Sequence, residues 1–309
     1  MEKNYMPEGS LANTAQNAEY TSSLEGLEFA KRNGIILEAR VVLCDSDHNL
    51  HVDLGACKGM IAREEAAYNA SGGEVKDIAV ITRVGKNVCF VVTDIIEKDG
   101  KAQAILSRRQ AQIMCCHNYI SRLENGDVID AVVTHMEPFG AFCDIGCGMV
   151  ALLPIDCISV SRISHPAQRF SCGMKIRCVV RNIDRDICRV TLSHKELLGT
   201  WQENADMFLS GETVSGIVRS IEPYGIFVEL APNLAGLAEW CDGVVEGQTA
   251  AVYIKNIIPE KMKIKLVIVD VSDVHERGGE IHYRFDGSHM DEWKYSPDDC
   301  PKEIYTTFD

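Results

Sequence analysis

Short apolar runs separated by glycine, proline and charged residues fill the chain from residue 34 to residue 271, and their dominant period is two. The clearest set lies in the middle. Residues 128–133 read as a strand, Glu137-Pro138 as a turn with proline at its favoured second position, and residues 142–145 as a second strand. Gly146-Cys147-Gly148 marks another turn, residues 150–153 a third strand, and residues 176–180 and 189–192 a fourth and a fifth. The stretch 159–170 reads as irregular, because Pro166 interrupts any long helix. Strand parity assigns faces. Ile176, Cys178 and Val180 share one side, Arg177 and Arg181 the other; in the last strand Val190 and Leu192 point inward, leaving Arg189, Thr191 and Ser193 outward.

The set repeats. At an offset of 85 residues, Gly126-Asp127-Val128 onward aligns without gaps with Gly211-Glu212-Thr213 onward, and Glu137-Pro138-Phe139-Gly140-Ala141-Phe142 with Glu222-Pro223-Tyr224-Gly225-Ile226-Phe227. A weaker copy lies upstream, where His51-Val52-Asp53-Leu54-Gly55 matches Phe142-Cys143-Asp144-Ile145-Gly146. Five short antiparallel strands with one irregular insert suit the OB-fold, a small Greek-key barrel. Between copies the period becomes helical. Leu197, Trp201, Ala205 and Phe208 predict a linker helix over 197–209, and Leu106, Ile113, Met114, Tyr119 and Leu123 another over 106–124. The expected fold class is therefore all-β, three tandem five-stranded OB-fold barrels at 34–105, 125–196 and 210–271 joined by short helical linkers. Residues 1–33 are expected to be largely disordered, being polar over 1–24. The extension 272–309 is acidic but holds Tyr283, Phe285, Trp293, Tyr295, Tyr305 and Phe308, too many aromatics for a solvated tail. It reads as a hairpin or extended segment that packs on the third barrel and covers its ligand face.

Composition narrows the function. The 309 residues carry a net charge of −14, and an acidic balance argues against nucleic acid, whose binders usually show a basic face. Partition changes that. Residues 125–200 hold 8 basic and 8 acidic side chains, whereas 201–271 hold 5 and 10 and 272–309 hold 4 and 10. The middle copy is neutral, with Arg177, Arg181 and Arg189 predicted to share one face. No apolar run approaches the length of a membrane span, and Met1-Glu2-Lys3-Asn4 lacks a signal-peptide layout. Thirteen cysteines without a CxxC pair read as buried thiols in a reducing cytosol; Cys143, Cys147 and Cys157 read as core and turn thiols, with no metal and no cofactor expected. There is no GxSxG elbow, no HExxH and no phosphate loop, and His135, His165 and His194 read as isolated surface or turn residues, so no enzyme is expected.

These residues resemble the S1-type OB-fold, the RNA-binding module of bacterial ribosomal protein S1. The resemblance covers about residues 34–270 and is strongest in the middle copy, with Gly126-Asp127-Val128, Pro138-Phe139-Gly140-Ala141-Phe142, Asp144-Ile145-Gly146, Ile183-Asp184-Arg185 and Arg189-Val190-Thr191-Leu192-Ser193. The chain looks like a short form of such a protein with three modules. Ile105-Leu106-Ser107-Arg108-Arg109-Gln110-Ala111 is similar to the N-terminal module of that family. The resemblance implies single-stranded RNA held by two aromatics, a histidine, an aspartate and an arginine. Carried over, these are Phe139, Phe142, Asp184 and Arg189 in the middle copy, with Pro154 at the histidine position. In the third copy they are Tyr224, Phe227 and Lys263, with Glu239 and Ile258 at the histidine and aspartate positions. In the first copy His48, His51 and Gln103 stand at the aromatic and arginine positions, so that face is nearly lost.

Stacking of bases on exposed aromatics tolerates any base, and arginine adds phosphate contact. Phe142 reads equally well as core, and a solvated outer face is the alternative reading of the arginines. The leading expectation is a cytoplasmic, ribosome-associated mRNA-binding protein of translation, with the middle module as main RNA site and the first module docking on the small ribosomal subunit. The alternatives are an interaction or regulatory module with little RNA affinity, or an accessory factor in RNA turnover.

Overall fold

The computed structural model describes residues 5–69, 72–73, 75–272 and 281–308. Residues 1–4 of the N-terminal segment, and 273–280 and 309 of the extension, lie outside the described residues. Three five-stranded sheets close into barrels of one connectivity. The first comprises β1 (Leu37–Cys44), β2 (Leu50–Asp53), β3 (Lys58–Ile61), β4 (Asn87–Lys98) and β5 (Lys101–Ser107). The second comprises β6 (Val128–Glu137), β7 (Gly140–Asp144), β8 (Val150–Pro154), β9 (Lys175–Asp184) and β10 (Arg189–Ser193). The third comprises β11 (Thr213–Glu222), β12 (Gly225–Ala231), β13 (Leu234–Ala238), β14 (Thr249–Ile258) and β15 (Lys263–Ser272).

In every barrel the fourth strand pairs antiparallel with the first. The fifth strand closes the cylinder by pairing parallel with the third, at Ile61↔Leu106, Thr191↔Leu152 and Leu237↔Lys265. Closure leaves no unpaired sheet edge. The alternating apolar positions fill the interiors: Val41, Leu50, Ile61, Phe90 and Leu106 are wholly buried in the first barrel, and Ile226, Val228, Leu234, Val252 and Ile254 in the third. The middle barrel follows the predicted parity, with Ile176, Cys178, Val180, Val190 and Leu192 inside.

Two compact units divide the chain: residues Met1–Leu123 with Asp144–Ala151 and Ile183–Arg189, and residues Glu124–Cys143 with Leu152–Asn182 and Val190–Asp309. Within the first unit the N-terminal segment is folded, which corrects the expectation of disorder for its described part. Thr14 caps α1 (Ala15–Thr21) through the Asn17 N–H; Ser23 caps α2 (Leu24–Asn33), which ends at Gly34 with φ 59°. Leu27 and Ala30 of α2 join the core of the first barrel. Asn17 and the Glu38 backbone exchange two hydrogen bonds of 2.9 Å, and the Glu38 carboxylate accepts the N–H groups of Gly9, Leu11 and Ala12. Polar composition hid this order because two short helices need only a narrow apolar stripe.

α3 (Asp77–Ile81) lies inside the first barrel, in the long β3–β4 connection, and the first linker contains α4 (Arg108–Asn118), capped by Ser107. The second linker is shorter than the predicted 197–209. A 3₁₀ turn at Lys195–Leu198 is broken by Gly199, with φ 83°, before α5 (Trp201–Ala205), whose Thr200 and Glu203 form a capping box. Leu197, Trp201 and Ala205 are buried as the period predicted. Among the thirteen cysteines, the structure pairs Cys116 of α4 with Cys188, Cα to Cα 6.4 Å, where the sequence led us to expect thiols only.

The C-terminal extension lies within the second unit and serves two barrels, not one. Val128 N–H donates to Ser288 O, Met290 N–H to Gly126 O, and Asp127 bridges His289, all on the middle barrel. Further on, β16 (Glu292–Lys294) and β17 (Tyr305–Thr307) form a two-stranded ribbon; Trp293, Tyr295 and Phe308 enter the core of the third barrel. Residues 281–287 form no strand, so the expected alternation of Ile281, Tyr283 and Phe285 marks docking contacts instead.

Candidate nucleic-acid interface

The β6–β7 turn places Phe139 at the surface, 57% exposed, and the next strand carries Phe142 half-buried beside it. Their rings meet edge to face, centroids 5.9 Å apart at 87°. The third barrel repeats the arrangement. Tyr224 is 68% exposed and meets Phe227 at 6.2 Å and 87°. Two independent copies thus hold the same pair, with one ring open to a base and the other rooted on the barrel wall. Phe142 is neither core nor fully free, which answers both readings of it.

Gly140, between the rings, is set by the neighbouring strand. It is buried, and a Cβ there would stand 2.5 Å from the Leu153 carbonyl; at Gly225 the Ala238 carbonyl would be met at the same distance. Close backbone approach of the neighbouring strand requires glycine, and this fixes where each aromatic strand starts.

A third ring joins the middle pair. His135 lies 6.1 Å from Phe142 at an interplanar angle of 21°, and its Nε2 is 2.7 Å from Glu137 Oε1. His135 is therefore not the isolated surface residue that the sequence predicts. In the third barrel the β11–β12 register shifts between Val218 and Ser220, which the 85-residue offset aligns with Val133 and His135. A bulge there turns the following side chain outward, and simple alternation could not reveal it.

The register of the third barrel sets out a row across all five strands: Ser220 pairs Phe227, Phe227 pairs Leu237, Leu237 pairs Lys265, and Lys265 pairs Asn256. The predicted Lys263 is exposed but pairs with Ile258, two residues along from the aromatic row, so Lys265 is the cation in line with Phe227. Parity with buried Ile264 and Leu266 was the signal that could have found it.

The predicted basic face of the middle barrel is not assembled as expected. Arg177 is engaged by the extension: its guanidinium donates to Phe285 O at 2.8 Å and Gly287 O at 3.0 Å, and lies 5.8 Å over the Tyr283 ring. Its backbone N–H donates to the Tyr283 hydroxyl, and burial pushes that phenol up to about 12. Arg177 is therefore withdrawn from any ligand. Arg181 remains exposed, with Nη1 against Cys157 Sγ. Asp184 ends β9 and Arg189 opens β10; both are exposed at the hairpin that belongs with the first unit. Ser193, predicted outward, is wholly buried, and its hydroxyl donates to Glu196. His194 is also buried, edge-on to Phe170 and Tyr283, with Nδ1 3.0 Å from Ile158 O; burial pulls it down to about 4, so it is neutral near pH 7. His165 caps a 3₁₀ turn through the Ala167 N–H.

At the aromatic positions of the first barrel, His51 and Asp45 pair at 2.9 Å, and His48 stands 3.8 Å from Asp77. The His51 contact and the Asn49 N–H hold Asp45 at about 2. The histidines of that face are engaged by its own carboxylates. The third barrel's face is open, since Tyr224 is exposed and the extension docks near Asn233, at the other end of the β12–β13 ladder. The expectation that the extension covers this face is overturned. Among the described residues no cluster of His, Cys, Asp or Glu fits a metal ion, and no helix is long and apolar enough to cross a membrane.

Residues 122–195, a segment that contains the three-ring platform, match the family described as S1 RNA binding domain. The chain carries an S1-type domain. It resembles bacterial small ribosomal subunit protein bS1. It is 28% identical over 228 residues to the "Small ribosomal subunit protein bS1 homolog" of Bacillus cereus, covering 66% of this chain and 58% of the relative. It is 30% identical over 196 residues to bS1 of Leuconostoc lactis, covering 60% and 44%, and 36% identical over 119 residues to bS1 of Staphylococcus aureus, covering 38% and 30%. The S1-type chain thus spans about half the length of the curated relatives it matches.

Proposed function

We propose that this S1-type protein is a non-enzymatic, cytoplasmic binder of single-stranded RNA in translation, with the middle barrel as its main site. The observation that supports the reading is the exposed Phe139 ring set edge-on to Phe142 and extended by His135, inside the segment that matches an RNA-binding family. Successive bases stack on Phe139 and on the His135–Phe142 face, while Arg181, Asp184 and Arg189 contact the backbone and ribose. Tyr224, Phe227 and Lys265 of the third barrel repeat the aromatic part with fewer cations. The relatives' name, small ribosomal subunit protein, supports association with that subunit. The first barrel, with its aromatic positions closed by His–Asp pairs, is the module we assign to that attachment.

Titration of a fluorescent single-stranded RNA at several salt concentrations tests the reading. Log K is expected to fall linearly with log salt, with a slope of about −0.7 for each phosphate contacted. No binding at low salt would instead favour an interaction module that has kept the barrel and lost the ligand.

A further inference from the structure

We propose that a cleft within the first unit, lined by Arg83, Arg108, Arg189 and Tyr68, is a second RNA subsite that takes a backbone phosphate and an adjacent base. The proposal rests on the reading of this chain as an RNA binder and deepens it, because it gives the first barrel a contact with the same strand.

The cleft measures about 320 Å³ and is walled by the stretch after β3, the turn after α3, the start of α4, the turn before β8 and the β9–β10 hairpin. Three arginines line it, and their guanidinium groups are not equally satisfied. Arg108 is structural. It is 4% exposed, its Nε and Nη2 donate to the two Glu8 carboxylate oxygens at 2.7 and 3.1 Å, and its Nη1 donates to Ala66 O. That bidentate pair occupies Glu8. Arg83 is left with only a 3.8 Å approach of Nη1 to Glu8, and its buried Nε has no hydrogen-bond partner. A buried N–H donor without an acceptor costs about 1–3 kcal/mol, more for a charged group. Burial first, and the neighbouring Arg108 charge second, pull Arg83 below its usual range against Glu8 and Asp144. Asp144 itself is engaged by the N–H groups of Glu8, Gly146 and Gly148. The Arg189 guanidinium is exposed and has no ion pair or hydrogen bond among the described residues.

A phosphodiester supplies what the cleft lacks: a single negative charge and two unshared oxygens for the Arg83 and Arg189 forks. A strand of RNA is favoured over free phosphate by two features. Tyr68, half-buried, lines the cleft and presents a ring for a base. Arg189 lies inside residues 122–195, the segment that matches an RNA-binding family.

The test compares a short RNA of about 4 nucleotides, enough for one barrel face, with one of about 12. For the full chain, Arg83→Gln is expected to weaken the longer RNA about tenfold and to reduce its salt slope by about 0.7, while leaving the short RNA unchanged. Tyr68→Leu, which removes no charge, is expected to weaken the longer RNA with its salt slope intact, and it serves if Arg83→Gln does not fold. Unchanged binding of the longer RNA in both variants overturns the subsite. Equal weakening by millimolar inorganic phosphate in wild type and Arg83→Gln also overturns it, since the phosphate then acts elsewhere. Failure of the short RNA to bind wild type is a separate result, and it overturns the middle-barrel reading instead.

Discussion

Glu229→Ala is expected to destabilise the protein by about 3–5 kcal/mol, the cost of stranding a buried charge. Glu229 is 3% exposed on β12, where three groups converge. Arg219 donates to both its oxygens, Nε to Oε2 at 2.9 Å and Nη2 to Oε1 at 3.1 Å, and Arg169 Nη2 donates to Oε2. Both arginine side chains are at most 4% exposed, and Arg169 Nε and Nη1 already have no partner. Burial pulls Arg169 down and Glu229 alone holds it charged against Arg219. Removing the carboxylate leaves two guanidinium groups facing each other with little water. Urea unfolding checks this through a lower midpoint at an unchanged slope. A loss below about 1 kcal/mol would mean that water reaches the site and that the triad behaves as a surface pair.

Truncation after residue 280 is expected to remove on the order of 5 kcal/mol or more and to lower solubility. Met290, Trp293, Tyr295 and Phe308 are each at most 6% exposed, and burial of each large apolar side chain contributes about 1.5–3 kcal/mol. The extension also supplies Tyr295 O, which accepts the first N–H of α5 from Trp201, and the Tyr295 hydroxyl, which donates to Asn233 O. Without it Trp201 and the start of β6 are uncovered. Equal solubility and an equal melting midpoint in the truncated chain would contradict this account of the extension.

How far the sequence could be read depended on the range of the interactions. The 85-residue repeat exposed two barrels at once, because its marker positions are dictated inside one barrel: Pro138 and Phe139 by the turn they stand in, Gly140 by the Leu153 carbonyl of the neighbouring strand. Parity placed Ile176, Cys178 and Val190 correctly because a closed barrel has one inside. The misses are of two kinds. Thr134 and His135 are both exposed on β6, a break in the alternation that hid His135. Contacts over long separations left no local trace: Arg177 looked free in its strand, and its partners Phe285 and Gly287 lie more than a hundred residues downstream. Ser193 and His194 were likewise hidden by neighbours that only the fold supplies. Net charge misled until partitioned, since the acidity concentrates in residues 201–309, away from the neutral middle barrel.

The central claim is that the middle barrel's aromatic face carries the RNA, and the third barrel's face, though built alike, contributes less. Side-by-side affinities of Phe139→Ala and Tyr224→Ala for one single-stranded RNA test it most directly. Phe139 and Tyr224 are both mostly exposed, so neither change should cost much stability. Phe139→Ala is expected to lose about 1–3 kcal/mol of binding, the worth of one stacked base, and Tyr224→Ala less than about 0.6 kcal/mol. A folded Phe139→Ala that binds like wild type, or a Tyr224→Ala that loses as much or more, would contradict it.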